Sequence, residues 1–135
     1  MIIKVILLLV ISTTLTARLN SQEITYARLD VEEFQNRILE LEQSELEFVI
    51  LDVRTVDEFN AGHLEGASQI DFYAPNFADL LNELPKDVEY LIYCRTGRRT
   101  GVTLQLMQKL GFKNISDLKN GIKSWIDSGL PVVKD

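Results

Sequence analysis

The stretch that decides the fold covers residues 89–110 and reads EYLIYCRTGRRTGVTLQLMQKL. Residues 89–94 form an apolar run without alternation, which predicts a strand buried on both faces. A short loop around Gly97 follows, and apolar side chains at helical spacing then predict a helix from about residue 100 to residue 110. Gly111 ends that helix in the position that glycine commonly takes after a helix C-terminus. A buried strand, a tight loop and a helix in this order are typical of an α/β protein.

Strands and helices alternate on both sides of this stretch. Residues 46–53 read LEFVILDV and predict a second strand buried on both faces. The remaining predicted strands are shorter and cover residues 24–28, 68–71 and 114–118. The other predicted helices have apolar residues three or four positions apart and cover residues 31–41, 77–84 and 122–126. This alternation predicts one α/β domain with a central, mainly parallel sheet flanked by helices on both faces.

Composition and charge exclude several classes of function. The chain of 135 residues is 46% hydrophobic, which suits one globular core and is too apolar for a disordered chain. Its net charge of -6 argues against nucleic-acid binding, because phosphates need a basic surface. One cysteine and one histidine exclude a disulfide framework and the common cysteine- or histidine-rich metal sites. Residues 90–116, however, contain five basic residues and no acidic one, which indicates a compact site for a small anion.

Residues 1–21 have the composition of a secretory signal peptide. Lys4 precedes the apolar run of residues 5–11, and small polar residues follow. The run is far shorter than the roughly 20 residues that a membrane-spanning helix needs. We therefore expect a cleaved signal, a mature domain of residues 22–135, and an exported, periplasmic protein that does not contact the membrane after cleavage. An uncleaved segment that anchors the protein in the membrane is the alternative, and the cleavage site stays open.

Cys94 is the candidate nucleophile. It stands at the carboxyl end of a predicted buried strand, where open α/β sheets bind their ligands. The loop amides and the helix N-terminus that follow favour anions, and a thiolate is an anion. Gly97 permits a left-handed backbone in the middle of this loop. The alternative is an inert buried cysteine, but the guanidinium groups of Arg95, Arg98 and Arg99 would be costly to bury without an anion. The sequence therefore favours an anion-binding site around a reactive thiolate.

Residues 94–100, CRTGRRT, resemble the active-site loop of the rhodanese family, which runs Cys-Arg-x-Gly-x-Arg-Ser/Thr. The similarity extends over about residues 24–133. Matches to the family's upstream signature are residues 51–54 (LDVR), 58–59 (EF), 62–64 (GHL) and 66–67 (GA), and matches to its C-terminal signature are residues 111–112 (GF), Leu118, Gly121 and Trp125. The chain departs from the family at Asn120, where a glycine is frequent, and at Arg98, where a smaller polar residue is common. The second departure bears on the preferred substrate.

The resemblance implies a rhodanese-like fold and the activity of a thiosulfate sulfurtransferase. In such a reaction the Cys94 thiolate attacks the outer sulfur of thiosulfate or of a persulfide donor, and cyanide or a thiol then removes that sulfur from the cysteine persulfide. The implied substrate-binding residues are Arg95, Thr96, Gly97, Arg98, Arg99 and Thr100. Arg95 and Arg99 would clamp the anion, and the amides of residues 96–100 would hold the terminal sulfur. The implied partners are a small anionic sulfur donor and a thiol or protein acceptor, with no cofactor.

Four further residues are predicted to be scaffold rather than catalytic. Asp52 and Arg54 stand two positions apart at a strand end, so they share a face and are expected to pair with each other or with Glu58. His63 follows Gly62 in a predicted turn, and we expect its imidazole to bond to the backbone. A thiolate that its own loop stabilises does not need a histidine base.

Two other functions stay open from the sequence. A cysteine-dependent phosphatase has the same architecture, but its loop is one residue longer, which would place the closing arginine at position 100, where this chain has Thr100. A non-catalytic binding module or a sulfur relay, which passes a persulfide to a protein partner, is compatible with the short single-domain chain. Phosphate release from an aryl phosphate, and thiocyanate formation from thiosulfate and cyanide, separate these functions from one another.

Overall fold

The computed structural model describes residues 23–135, so the predicted signal peptide of residues 1–21 lies outside the described residues. The strands within that range are β1 (Thr25–Leu29), β2 (Phe48–Asp52), β3 (Ser68–Gln69), β4 (Glu89–Tyr93) and β5 (Asn114–Leu118). The helices are α1 (Val31–Gln43), α2 (Val56–Ala61), α3 (Phe77–Asn82), α4 (Arg98–Lys109) and α5 (Gly121–Asp127). None of these described helices has the length and apolar character needed to cross a membrane.

The five described strands form one sheet in the order β1-β5-β4-β2-β3, and each neighbouring pair is parallel. The prediction of a mainly parallel sheet is therefore confirmed. β4 occupies the centre of the sheet, between β5 and β2. In a parallel sheet the carboxyl ends of all strands lie at one edge, so the residues that follow β5, β4 and β2 come together there.

Helices cover both faces of the sheet, which confirms the second part of the fold prediction. The core of one face joins α1 and α5 to the sheet through Phe34, Ile38, Ile122 and Trp125. The core of the other face joins α3 and α4 to the sheet through Phe77, Leu81, Leu104 and Met107. Successive side chains of a strand point to opposite faces, so β4 contributes to both cores. Tyr93 packs into the α1–α5 core, whereas Ile92 and Cys94 belong to the α3–α4 core.

Three local features differ from the sequence prediction. The sequence prediction lacks α2, a helix of six residues with no fully buried side chain, which starts at a capping box formed by Thr55 and Glu58. β3 spans two residues rather than the four of the predicted strand at 68–71. α4 begins at Arg98, two residues before the expected start, because Gly97 takes a left-handed backbone and serves as the N-cap. The residues after Gly97 therefore form the first turn of a helix rather than part of a loop.

Candidate active site

Cys94 is the first residue after β4, at the carboxyl edge of the sheet. Its side chain is 1% exposed and belongs to the α3–α4 core. The Cys94 Sγ accepts a hydrogen bond from the Gly97 N–H at 3.1 Å, and the Thr100 Oγ1 lies 3.6 Å from the same sulfur. A backbone donor directed at a sulfur stabilises its anion, whereas burial in an apolar core disfavours that anion. The cysteine is therefore buried, but polar groups of the following segment contact its sulfur.

Gly97 allows the loop to turn back towards the sulfur. Its φ of +95° lies in the left-handed region, which residues with a side chain adopt only with strain. A Cβ at this position would lie 1.9 Å from the carbonyl oxygen of Lys119, which stands between β5 and α5. The loop backbone therefore packs directly against the backbone that follows β5, and only glycine fits there.

The first turn of α5 holds the base of the same loop. The Ile122 N–H donates to the Cys94 carbonyl oxygen at 2.8 Å, and the Lys123 N–H donates to the Arg95 carbonyl oxygen at 3.1 Å. Gly121 permits this approach, because a Cβ there would lie 2.2 Å from the Arg95 carbonyl oxygen. Helix N-terminal amides lack partners within their own helix, so two carbonyls of the loop satisfy amides of α5. These contacts fix the backbone on either side of Cys94.

The predicted substrate-binding residues divide into an exposed and a buried set. Arg95, Thr96 and Arg98 are exposed, whereas Gly97, Arg99 and Thr100 are buried. The exposed arginines face a cavity of about 330 Å³ that is lined by Glu58, Tyr73, Arg95, Thr96, Arg98 and Arg99. One nitrogen of Arg98 donates to the Tyr73 hydroxyl at 3.4 Å. A cavity lined by several guanidinium groups of the loop that follows Cys94 suits a small anion.

Arg99 is bound by Glu58 through two parallel hydrogen bonds of 2.8 Å each. The hydrogen bond from Arg99 lowers the pKa of Glu58 to about 2, although partial burial opposes this shift. The pKa of Arg99 is raised, mainly by Glu58 and to a smaller extent by the nearby Cys94. The sequence predicts Arg99 as an anion clamp and offers Glu58 only as an alternative partner for the Asp52 and Arg54 pair. In the structure Glu58 occupies the Arg99 fork, so Arg95 and Arg98 are the exposed guanidinium groups of the site.

Asp52 and Arg54 form the pair that their spacing suggests. Two nitrogens of Arg54 donate to the Asp52 carboxylate at 2.7–3.0 Å, and one of them also donates to the Gly62 carbonyl oxygen at 2.6 Å. Both side chains are buried, with Asp52 at 0% and Arg54 at 6% exposure. A buried charge is stable only with such partners, so the pair ties the end of β2 to the end of α2. Among the described residues, the hydrogen-bonding groups at the Cys94 sulfur belong to Gly97 and Thr100, not to this pair.

His63 lies away from the sulfur and bonds to the backbone. Its Nδ1 lies 3.0 Å from the Phe59 carbonyl oxygen, and its ring stacks on the Phe59 ring at 3.8 Å between centroids. Its Nε2 lies 3.3 Å from a carboxylate oxygen of Asp135. The His63 backbone forms an antiparallel bridge with Val133. The contacts of this histidine therefore join α2 to the C-terminal segment rather than to the loop.

Sequence reasoning missed two residues, one on β1 and one on β5, that support the loop after Cys94. Arg28 on β1 donates from Nε to Asp117 Oδ2 and from Nη2 to the Gly97 carbonyl oxygen, both at 2.6 Å. Asp117 on β5 is fully buried, and its burial raises its pKa, although Thr100 and Arg28 oppose that shift. β1 and β5 are neighbours in the sheet, and Arg28 stands opposite Asp117 in the register. The only sequence signal was an acidic residue inside a predicted strand.

Comparisons of the sequence and of the fold with known proteins show which proteins this chain resembles. Residues 30–128 match the family model of the Rhodanese-like domain. A sulfurtransferase of Allochromatium vinosum is 29% identical over 105 residues, which cover 78% of this chain and 92% of that protein. A tRNA uridine(34) hydroxylase of Listeria monocytogenes is 28% identical over 120 residues, but this chain spans only 36% of its length. The crystal structure of a rhodanese-related protein from Thermoplasma volcanium aligns with a TM-score of 0.69 at 25% identity, and the alignment covers 82% of this chain and 100% of that one.

Proposed function

Because the chain belongs to the rhodanese-like domain family, we propose that it is a sulfurtransferase whose Cys94 carries the transferred sulfur as a persulfide. The donor is thiosulfate or another persulfide, and the acceptor is cyanide or a thiol. The observation that carries the proposal is the hydrogen bond from the Gly97 N–H to the Cys94 Sγ, in a loop whose exposed arginines line a cavity. The sulfurtransferase name of a relative that this chain covers almost completely supports the same reaction class.

The first half-reaction is a displacement at the outer sulfur of the donor. The Cys94 thiolate attacks that sulfur, a new S–S bond forms, and the S–S bond of thiosulfate breaks. The bonding electron pair leaves with sulfite. Thiosulfate and sulfite are both anions, so the exposed Arg95 and Arg98 attract the donor and stabilise the leaving group. The Glu58–Arg99 pair neutralises a third guanidinium group and holds it at the wall of the cavity.

The second half-reaction returns the cysteine to its starting state. Cyanide or a thiolate attacks the terminal sulfur of the persulfide, and the electron pair of the S–S bond returns to the Cys94 sulfur. Thiocyanate or a new persulfide leaves. The proposed site for the terminal sulfur is the N-terminal end of α4, since the first amides of a helix have no partner within the helix and bind anions. The reaction needs no metal or organic cofactor, because the cysteine itself carries the sulfur.

We also propose that residues 1–21 direct export to the periplasm, on the strength of the short apolar run that follows Lys4. N-terminal sequencing of the protein from its natural cell tests this. A start near residue 22 supports a cleaved signal, and a retained Met1 contradicts it in favour of a membrane anchor or of no export.

The test of the sulfurtransferase is thiocyanate formation from thiosulfate and cyanide by the wild type and by Cys94→Ala. We expect turnover by the wild type and none by Cys94→Ala, because no other thiol exists in the chain. Thermal unfolding of both proteins checks that the variant is folded. Activity that survives the substitution contradicts the mechanism. If the wild type carries a detectable persulfide but shows no turnover, the protein is a relay that needs a protein acceptor. If it releases phosphate from an aryl phosphate and this activity requires Cys94, the protein is a phosphatase.

A further inference from the structure

Arg28 connects the buried end of β5 to the loop that contacts the sulfur. Its Nε donates to Asp117 Oδ2 at 2.6 Å, and its Nη2 donates to the Gly97 carbonyl oxygen at the same distance. The guanidinium group also lies over Gly101 in α4, where a Cβ would be 3.6 Å from both terminal nitrogens. The Arg28 guanidinium group therefore bonds to β5 and to the loop after Cys94, and it lies close to Gly101 of α4.

Asp117 is a buried carboxylate, so the partner that compensates its charge shows which contacts matter at this end of β5. Its side chain is 0% exposed, and its Oδ1 has no hydrogen-bond partner among residues 23–135. Burying a carboxylate is unfavourable unless a partner compensates the lost hydration. The described ion pair of Asp117 is with Arg28, whose side chain is 43% exposed. Asp117 thus holds the half-exposed Arg28 in one orientation, in which the Nη2 of Arg28 donates to the Gly97 carbonyl oxygen.

Gly97 is contacted from opposite directions by Arg28 and by the nucleophile. Its carbonyl oxygen accepts from Arg28, and its N–H donates to the Cys94 Sγ at 3.1 Å. The bond to the carbonyl polarises the peptide group that joins Gly97 to Arg98, which makes the Arg98 N–H at the start of α4 a better donor. Asp117 balances the charge of the guanidinium group, so Arg28 acts on the sulfur through the position of this backbone.

We propose that Arg28, held by Asp117, is a positioning residue that orients the Gly97 backbone towards the Cys94 sulfur and stabilises its thiolate. This role rests on the proposed function, since it serves the nucleophile of that reaction. Arg28 does not line the cavity that holds Arg95 and Arg98. It acts through the loop, and Asp117 acts through Arg28.

The test compares Arg28→Ala with a control arginine at the other end of the sheet. Arg37 on α1 is also paired with a carboxylate, since it donates to Glu89 at 2.7 Å, but Glu89 stands at the start of β4. Two measurements are made on each variant: the midpoint of the pH profile for alkylation of Cys94 by iodoacetamide, and kcat/KM for thiosulfate. We expect Arg28→Ala to move the midpoint up by about one pH unit and to lower kcat/KM about tenfold, which corresponds to about 1.4 kcal/mol. Arg37→Ala should change neither quantity.

The role of Asp117 is tested by Asp117→Asn in two backgrounds. We expect this substitution to lower kcat/KM when Arg28 is present and to have a smaller effect in Arg28→Ala, because Asp117 then acts only through its contact with Thr100. Arg28→Lys should restore little activity, since one ammonium group does not reproduce the fork between Asp117 and Gly97.

An unchanged alkylation midpoint in Arg28→Ala overturns the proposal, even if that variant is less stable than the wild type. Equal effects of Asp117→Asn in both backgrounds overturn the part assigned to Asp117. Alkylation needs no sulfur transfer, so the two hypotheses fail separately. A shifted midpoint in a protein without turnover supports the positioning role and contradicts the proposed function.

Discussion

Replacement of Gly97 by alanine is expected to abolish most of the activity at a modest cost in stability. The φ of +95° imposes strain on an alanine of about 1–2 kcal/mol. The new Cβ would also lie 1.9 Å from the Lys119 carbonyl oxygen, and real Cβ contacts below 3.0 Å are essentially never seen. The loop must therefore withdraw from Lys119 by roughly 1 Å, which changes the position of the Gly97 N–H relative to the Cys94 Sγ. A misplacement of about 1 Å in a catalytic group can lower the rate about 10²-fold.

Gly129→Ala is the matched control for backbone strain. Gly129 also has a left-handed φ, of +79°, but a Cβ there would meet no atom within 4 Å. Thiocyanate formation gives the activity of each variant, and urea unfolding gives its free energy of unfolding. We expect Gly129→Ala to lose about 1–2 kcal/mol of stability through strain. Gly97→Ala should lose more stability, because its backbone must also move away from Lys119, and it alone should lose about 10²-fold in kcat/KM. A Gly97→Ala protein with kcat/KM within about threefold of the wild type would refute the argument that this backbone must approach Lys119 closely.

Two further predictions concern stability as a function of pH. Glu58 has a pKa of about 2 against an ordinary 4.5, so its ion pair stabilises the fold fully above pH 4.5 and loses this effect as the pH falls towards 2. The difference in thermal stability between the wild type and Glu58→Gln should shrink over that range, and a constant difference would contradict the pairing with Arg99. Burial raises the pKa of Tyr90 to about 12 from 10, so the stability that its neutral hydroxyl supports is lost as the pH rises from 10 towards 12. Tyr90→Phe removes the hydrogen bond to the Pro85 carbonyl oxygen and should cost about 1 kcal/mol in urea unfolding at pH 7. Between pH 10 and 12 this variant should lose less stability than the wild type, and an equal loss in both proteins would exclude Tyr90 as the titrating group.

The segment of β4, the loop around Gly97 and α4 could be predicted from the sequence, because the patterns that indicate these elements lie within the segment itself. The apolar run of β4 is unbroken, and Gly97 directly precedes α4, so Cys94 could be placed at the carboxyl end of a strand that is buried on both faces. The α2 helix could not be predicted from apolar periodicity, since its six residues include no fully buried side chain. A Thr55–Glu58 capping box was the available signal for that helix.

The contacts around the loop depend on long-range geometry that the sequence does not reveal. Glu58 and Arg99 are 41 positions apart, and their pairing follows from the place of α2 beside the end of β4. Arg28 and Asp117 are 89 positions apart and meet because β1 lies next to β5. Parallel neighbours are set by crossover connections rather than by local turns, so the strand order could not be derived from the hydrophobic pattern.

The central claim is tested most directly by mass spectrometry of the protein after exposure to thiosulfate. The account predicts one added sulfur atom on the peptide that contains Cys94, which disappears when cyanide is added. Cys94→Ser treated in the same way should gain no mass. A wild-type protein that is folded, has been exposed to thiosulfate or to a persulfide donor, and still shows no added sulfur on that peptide would contradict the claim that Cys94 carries the sulfur.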